Sequence, residues 1–400
     1  RMWLFLTTMC LICATLNVDG LFSFQKEANP EVWMNIDRVK LAVGHPKRVS
    51  LTSTRISGAP SAGNNRYKYT RTYSRAVSPR PVVYLQHALF LDNASWLENY
   101  ASGSLGFLLA DAGYDVWMGN SRGNTWSRRH KTLSVTEEEF WAFSFDEMAK
   151  YDLPGIVDFI VNKTGQEKLY FIGHSLGTII GFVAFSTMPE LAQRIKMNFA
   201  LGPLFSFKYP TGIFTNFFLL PNSLIKAFFG TKGVLLEYQK GKVPSVKICN
   251  HKILWVICSE FMSLWSGFNM KNFNTSRMDV YLSHAPTGSS VQNILHIKQL
   301  YLSNEVRAYD WGNKAKNMYH YNQSHPPRYD LTAMKVPTAI WAAGKDVLAT
   351  PQDVARIIPQ IQNLSYFKLL PDWNHCDFIW GLDAAQRLYS KIIALMKANP

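Results

Sequence analysis

Apolar and polar positions follow one rhythm in two stretches of the chain and another between them. Val82-Val83-Tyr84-Leu85, an apolar run after Pro79-Arg80-Pro81, predicts a buried strand. Leu105 to Ala112 predicts a helix stopped by Gly113, and Tyr114 to Met118 a second strand ending at Gly119-Asn120. Helical periodicity runs over Glu139 to Lys150 and Leu153 to Asn162, with Pro154 tolerated in the first turn of the latter. Leu169-Tyr170-Phe171-Ile172 predicts a strand and Thr178 to Ser186 a helix. The pattern resumes with strands at Thr338 to Ala342 and Tyr366 to Leu370, then a final helix from Ala384 to Lys397. Strands alternating with helices predict an α/β domain with a mainly parallel sheet, built from residues 79–187 and 328–400.

Residues 188–327 lose that rhythm. The segment is rich in aromatics and methionine, among them Phe205, Phe214, Phe217, Phe218, Trp255, Phe261, Met262, Trp265 and Met270, with no evident strand alternation. It reads as a mostly helical insertion. Such a stripe is ordinarily core packing, and it also suits a greasy ligand.

The N-terminus carries a third pattern. One positive charge precedes the apolar run Trp3 to Leu16, with Asn17, Asp19 and Gly20 behind it. This is the pattern of a secretory signal peptide over residues 1–20. The run is too short to span a bilayer, and no later segment is long enough, so no transmembrane segment is expected. Five N-x-[ST] sequons, at Asn93, Asn162, Asn274, Asn322 and Asn363, fit a glycoprotein of the secretory pathway. Cys249 and Cys258 bracket a short loop that a disulfide could close in an oxidising compartment; two buried thiols are the alternative.

Composition changes the picture at one place. The net charge of +14 invites a nucleic-acid reading. Ten Lys/Arg residues and no Asp or Glu lie between Arg38 and Leu91, and outside that stretch 32 basic residues face 28 acidic ones. The excess is local, which argues against nucleic acid as a partner. Residues 36–78 are polar, basic and rich in Ser, Thr and Arg, and are expected to form a solvated, unstructured arm.

Chemistry concentrates at Gly173-His174-Ser175-Leu176-Gly177. The G-x-S-x-G pattern is weak alone. Here it stands between a predicted strand and a predicted helix, the setting of a nucleophile elbow. A serine hydroxyl needs a histidine base, and the base needs a carboxylate to hold its tautomer. In this arrangement the chain order is serine, acid, histidine. His375 lies after the last strand and before the last helix, and Asp346 just past the strand ending at Ala342. Asp353, Asp372 and Asp377 are weaker candidates, the first inside a helix and the others crowding His375 along the chain. His87, His174, His284, His296, His320 and His325 are set aside as bases. The backbone N–H groups of Leu89 and Leu176 are the candidates for an oxyanion hole.

Long strings around these residues resemble the mammalian acid lipases of the gastric and lysosomal lipase family, within the α/β-hydrolases. They include Gly119-Asn120-Ser121-Arg122-Gly123-Asn124-Thr125-Trp126-Ser127-Arg128-Arg129-His130, Phe140-Trp141-Ala142-Phe143-Ser144-Phe145-Asp146-Glu147-Met148 and Ser283-His284-Ala285-Pro286-Thr287-Gly288. The resemblance runs from about Pro81 to the C-terminus and lapses over residues 36–78. It implies an α/β-hydrolase fold, a cap or lid over the site at 188–327, and a cysteine pair like Cys249 and Cys258. It also implies hydrolysis of acylglycerols or sterol esters at a lipid–water interface, with neither metal nor organic cofactor. One departure stands beside the site: Ala88 occupies the place of a glycine. The expected function is a secreted or lysosomal serine ester hydrolase acting on neutral lipid, with peripheral contact to lipid surfaces. The alternatives are a catalytically silent lipid-binding homologue and an esterase for small soluble esters.

Overall fold

The computed structural model describes residues 33–41, 49–57, 80–211, 213–235 and 269–400. An eight-stranded sheet runs through it, comprising β1 (Trp33–Leu41), β2 (Val49–Ser57), β3 (Val82–Gln86), β4 (Asp115–Gly119), β5 (Leu169–His174), β6 (Ile195–Leu201), β9 (Thr338–Ala343) and β10 (Leu364–Leu370). The strand order is β10-β9-β6-β5-β3-β4-β1-β2. Strands β3 to β6, β9 and β10 are parallel, and β1 joins β4 and β2 antiparallel. A short antiparallel pair, β7 (Gly233–Val234) and β8 (Ser289–Ser290), lies in the insertion.

Successive side chains of a strand point to opposite faces, and here both faces are covered. Val82, Tyr84, Phe171, Ile340 and Ala342 pack into one core layer with the helices Leu153–Thr164 and Leu176–Thr187. Val83, Leu85, Tyr170, Ile172, Phe199 and Trp341 pack into the other, with the helices Leu105–Asp111 and Ser390–Ala398. Burial on two sides is why the central strands read as unbroken apolar runs.

Two expectations need correction. The sheet gains β6 from inside the segment read as helical insertion, so the core continues to Leu201. Ile195, Met197, Phe199 and Leu201 do alternate with Lys196, Asn198 and Ala200, a period-two pattern masked by the aromatic-rich surroundings. The second correction concerns the basic arm. Residues 33–41 and 49–57 form a hairpin on the β4 edge, with Ile36 opposite Gly119 and Val39 opposite Val116. Val49, Thr52, Thr54 and Ile56 are β-branched residues that favour strands, and backbone pairing to β4 asks nothing of net charge.

Beyond Leu201 the insertion is mostly helical, with helices Ile213–Leu219, Asn222–Phe229, Met278–His284, Val291–Ser303 and Lys314–Tyr321. Phe217, Phe218, Ile225, Val234, Val291, Ile294 and Leu295 give it a small core of its own. Among the described residues no helix is long and apolar enough to cross a membrane. Residues 1–20 and the Cys249–Cys258 pair lie outside the described residues.

Candidate active site

Ser175 sits between β5 and the helix Leu176–Thr187 with φ 54° and ψ −116°. This is a strained conformation for a side chain with a Cβ. The surroundings enforce it. Ser175 N–H donates to Leu201 O at 3.0 Å, tying the turn to the end of β6. A Cβ at Gly173 would lie 2.7 Å from the Gly177 backbone, and one at Gly177 would lie 2.4 Å from Gln86 O. The two glycines of the motif are therefore steric requirements of a tight strand–turn–helix crossing.

Asp346 and His375 come from the loops after β9 and β10, and those loops are stitched together through the backbone. Gly344 N–H donates to Leu370 O at 2.7 Å and Lys345 N–H to Trp373 O at 2.8 Å. A Cβ at Gly344 would stand 2.4 Å from Pro371 O, so only glycine permits this approach. The result is a buried contact of 2.7 Å between His375 Nδ1 and Asp346 Oδ2. Asp346 Oδ1 accepts from the Leu348 and Ala349 amides, each at 2.8 Å. Those bonds fix the carboxylate's orientation and leave Oδ2 for the imidazole. The carboxylate accepts a hydrogen bond from Nδ1–H, which leaves the lone pair on Nε2. His375 Nε2 is buried and has no hydrogen-bond partner among the described residues, Ser175 Oγ included.

His174, inside the motif, is an anchor for that loop. Its Nε2 donates to His375 O at 3.0 Å, and the two rings lie 4.9 Å apart. Burial, reinforced by the neighbouring His375, pushes the His174 imidazole well below its usual range, so it stays neutral. Gly202 completes the packing: with φ +54°, its missing Cβ would lie 3.3 Å from the His375 ring.

The competing carboxylates have other occupations. Asp353 is buried and accepts from Ser206 Oγ, Lys208 N–H and Tyr209 N–H, holding the chain after β6. Asp372 pairs with Arg387 at the surface, and that bond holds its carboxyl down at about 2. Asp377 accepts from Asn374 N–H and from the Asn269 and Asn272 amides; burial pushes it up to about 6 despite those bonds.

Leu176 opens the elbow helix, where a first-turn amide has no helical carbonyl to bond. Leu89 lies in the turn after β3, partly buried against both the sheet core and the insertion's core. Ala88 is buried beside it. Sequence reasoning passed over His174, Gly202 and Gly344 as site residues. A glycine one residue past a strand end was the available signal for the last two.

Of the sequons, Asn162, Asn322 and Asn363 are exposed, Asn274 is half-buried and Asn93 is buried. Asp92, Glu98 and His284 converge closely enough to hold an ion. Their atoms are already engaged: Asp92 with Ala94 N–H, Trp126 Nε1 and His284, and Glu98 with Trp380 Nε1.

Comparison with known proteins agrees with this geometry. The α/β-hydrolase fold family matches residues 81–382. Human lipase member N is 76% identical over 397 residues, covering 99% of both chains. Human lysosomal acid lipase/cholesteryl ester hydrolase is 50% identical, covering 97% of each. Human gastric triacylglycerol lipase is 47% identical, covering 100% of each. A strained serine after a parallel strand, a carboxylate-bound histidine three strands away and full-length similarity to these enzymes converge, and the chain belongs to the lipase branch of the α/β-hydrolase family.

Proposed function

We propose that the chain hydrolyses neutral lipid esters, acylglycerols or sterol esters, through an acyl-enzyme on Ser175. The observation that carries the reading is the buried 2.7 Å pair of His375 Nδ1 and Asp346 Oδ2 beside a serine held at positive φ. The Ser175 hydroxyl attacks the ester carbonyl carbon while His375 Nε2 takes its proton. Negative charge gathers on the former carbonyl oxygen, where the Leu89 and Leu176 amides donate. Collapse of the tetrahedral species breaks the bond to the leaving alcohol, which receives the proton from His375. Water, deprotonated by the same imidazole, then attacks the acyl-enzyme and frees the fatty acid. Asp346 balances the imidazolium in both halves. No step requires a metal or an organic cofactor.

The half-buried and exposed apolar residues of the insertion suit an aggregated substrate. Leu219 is exposed and Phe228 half-buried on adjoining helices above the insertion's apolar core. We assign this face to contact with a lipid–water interface, and the whole insertion to a cap over Ser175. The signal-like N-terminus, the sequons and the cysteine pair support a route through the secretory pathway, with secretion or lysosomal delivery as its end. Glycans are expected at Asn162, Asn322 and Asn363, and not at the buried Asn93.

Fluorophosphonate labelling with peptide mapping tests the chemistry. The adduct should map to Ser175 and vanish in Ser175→Ala. A folded wild-type protein that takes no label would overturn the reading and favour a silent lipid-binding homologue. Activity that rises when a short-chain ester passes from solution into emulsion would separate a lipase from an esterase for soluble esters.

A further inference from the structure

We propose that His87 is a positioning residue for the oxyanion hole, acting through the Ala88–Leu89 peptide; the inference rests on the serine-hydrolase reading above. His87 is buried just past the end of β3. Its Nδ1 lies 2.7 Å from Ala88 O, and its Nε2 accepts from Ser121 N–H at 3.0 Å. A carbonyl oxygen can only accept and a backbone amide can only donate. The two contacts therefore fix one tautomer, with the proton on Nδ1. Burial also lowers the imidazole's affinity for a second proton. Both nitrogens are committed, so His87 is not a rival base.

The consequence lies in the next peptide. A trans peptide is planar, with its C=O and N–H pointing in opposite directions. Ala88 O belongs to the same peptide as Leu89 N–H. It is held by His87 Nδ1–H on one side and by Leu91 N–H, at 3.2 Å, on the other. Flipping Leu89 N–H away from the site would break both bonds.

The loop is clamped beyond this peptide too. Phe90 takes φ 61°, and its carbonyl accepts from Thr287 N–H at 2.7 Å. Leu91 O accepts from Thr287 Oγ1, also at 2.7 Å. Below it, Gln86 O presses on the first turn of the elbow helix at Gly177, so the strand end that carries His87 rests on the turn that carries Ser175. A buried imidazole thus links the β4 end, through Ser121, to the peptide that must donate to the transition state. This fixed donor also accounts for the tolerance of Ala88 where a glycine is expected: the peptide is oriented by hydrogen bonds and does not depend on glycine's freedom.

The test compares His87→Phe, His87→Asn and His87→Gln with wild type on a soluble p-nitrophenyl ester. Kinetics, fluorophosphonate labelling rate and melting temperature are read for each. Phe fills the space without a donor. Asn places an amide N–H near the Nδ1 position, and Gln does not. Loss of one oxyanion donor costs about 10²–10³ in rate. His87→Phe should lose kcat on that scale, with KM within about threefold and labelling slowed in parallel, and His87→Asn should recover at least about tenfold of the loss. A folded His87→Phe with kcat within about threefold of wild type would overturn the inference. So would equal kcat in the Asn and Gln variants, a comparison that stands even if the Phe variant does not fold. Ser175→Ala is run alongside. If it keeps full hydrolysis, the serine reading itself fails; if it is dead while the His87 variants are normal, only the positioning role fails.

Discussion

Asp346 makes three contacts, and each has a separate consequence. Oδ1 takes two amides and Oδ2 takes the imidazole. In Asp346→Asn the amide oxygen must stay with the two N–H donors, so its NH2 turns toward His375. Nδ1 must then accept, the ring proton moves to Nε2, and the base is lost. The expected result is a kcat lowered by about 10³–10⁴ with little change in melting temperature, as for the wrong tautomer in a serine triad. Asp372→Asn removes a surface pair with Arg387 and should leave kcat within about twofold, since exposed pairs contribute at most about 1 kcal/mol. Steady-state assays of the two variants side by side separate the catalytic from the surface carboxylate. If both lose activity equally, the assignment of Asp346 fails. At this scale the proposed serine, acid and base were legible because each stands at a strand end. The roles of His87 and His174 were not, since their partners, Ser121 and His375, are distant in sequence.

At the scale of elements, the seam between insertion and core is polar and buried. Phe145 N–H donates to Asn293 Oδ1, and His296 accepts from Ser144 Oγ while donating to Arg307 O. Asp146 accepts from Tyr309 N–H and Tyr329 Oη, each at 2.8 Å. Burial pushes the Asp146 carboxyl up to about 7 in spite of those bonds. Its folded-state pKa thus exceeds its unfolded one of about 3.9. The folded state holds the proton more tightly, so this group's contribution to stability is full below about pH 4 and is lost as pH rises through about 7. Burial moves His296 the other way, down to about 4, so its contribution grows as pH rises from about 4 toward its usual value near 6.5. Asp146→Asn keeps His296 and removes only the acid. The melting-temperature difference between variant and wild type should therefore shift in the variant's favour between pH 5 and pH 8. A difference that stays flat would show that Asp146 titrates normally.

The crossing of strand and helix at the elbow has a sharper requirement. In Gly177→Ala the new methyl, fixed rigidly to the helix backbone, meets the backbone carbonyl Gln86 O at 2.4 Å. Neither partner can swing aside, so the variant should lose both solubility and fluorophosphonate labelling. A folded, labelled Gly177→Ala protein would mean that β3 can retreat from the elbow.

Across the whole molecule, the paired strands 33–41 and 49–57 cover the β4 edge. Their removal exposes a row of unpaired backbone groups, a template for pairing between copies. Deletion of residues 33–57 is expected to produce aggregation by size-exclusion chromatography, with loss of activity. Retention of a monomeric, active enzyme would make the hairpin dispensable.

Local pattern alone determined much of this protein. Short, mainly apolar runs marked five strands of the parallel sheet, and the G-x-S-x-G string marked the elbow, because strand burial and turn sterics are written within a few residues. The order of serine, aspartate and histidine at strand ends then pointed to the 2.7 Å pair that the fold brings together. Tertiary structure decided the rest. The partners of β6 and of the β1–β2 hairpin lie far along the chain, and their pairing energy outweighs the local composition that argued for helix or disorder. The tautomers of His87 and His174 follow from the Ser121 amide and the His375 carbonyl, each brought to its ring from a distant loop. Only folding creates those neighbours, and with them the low-dielectric burial that shifts the ionisation of these side chains.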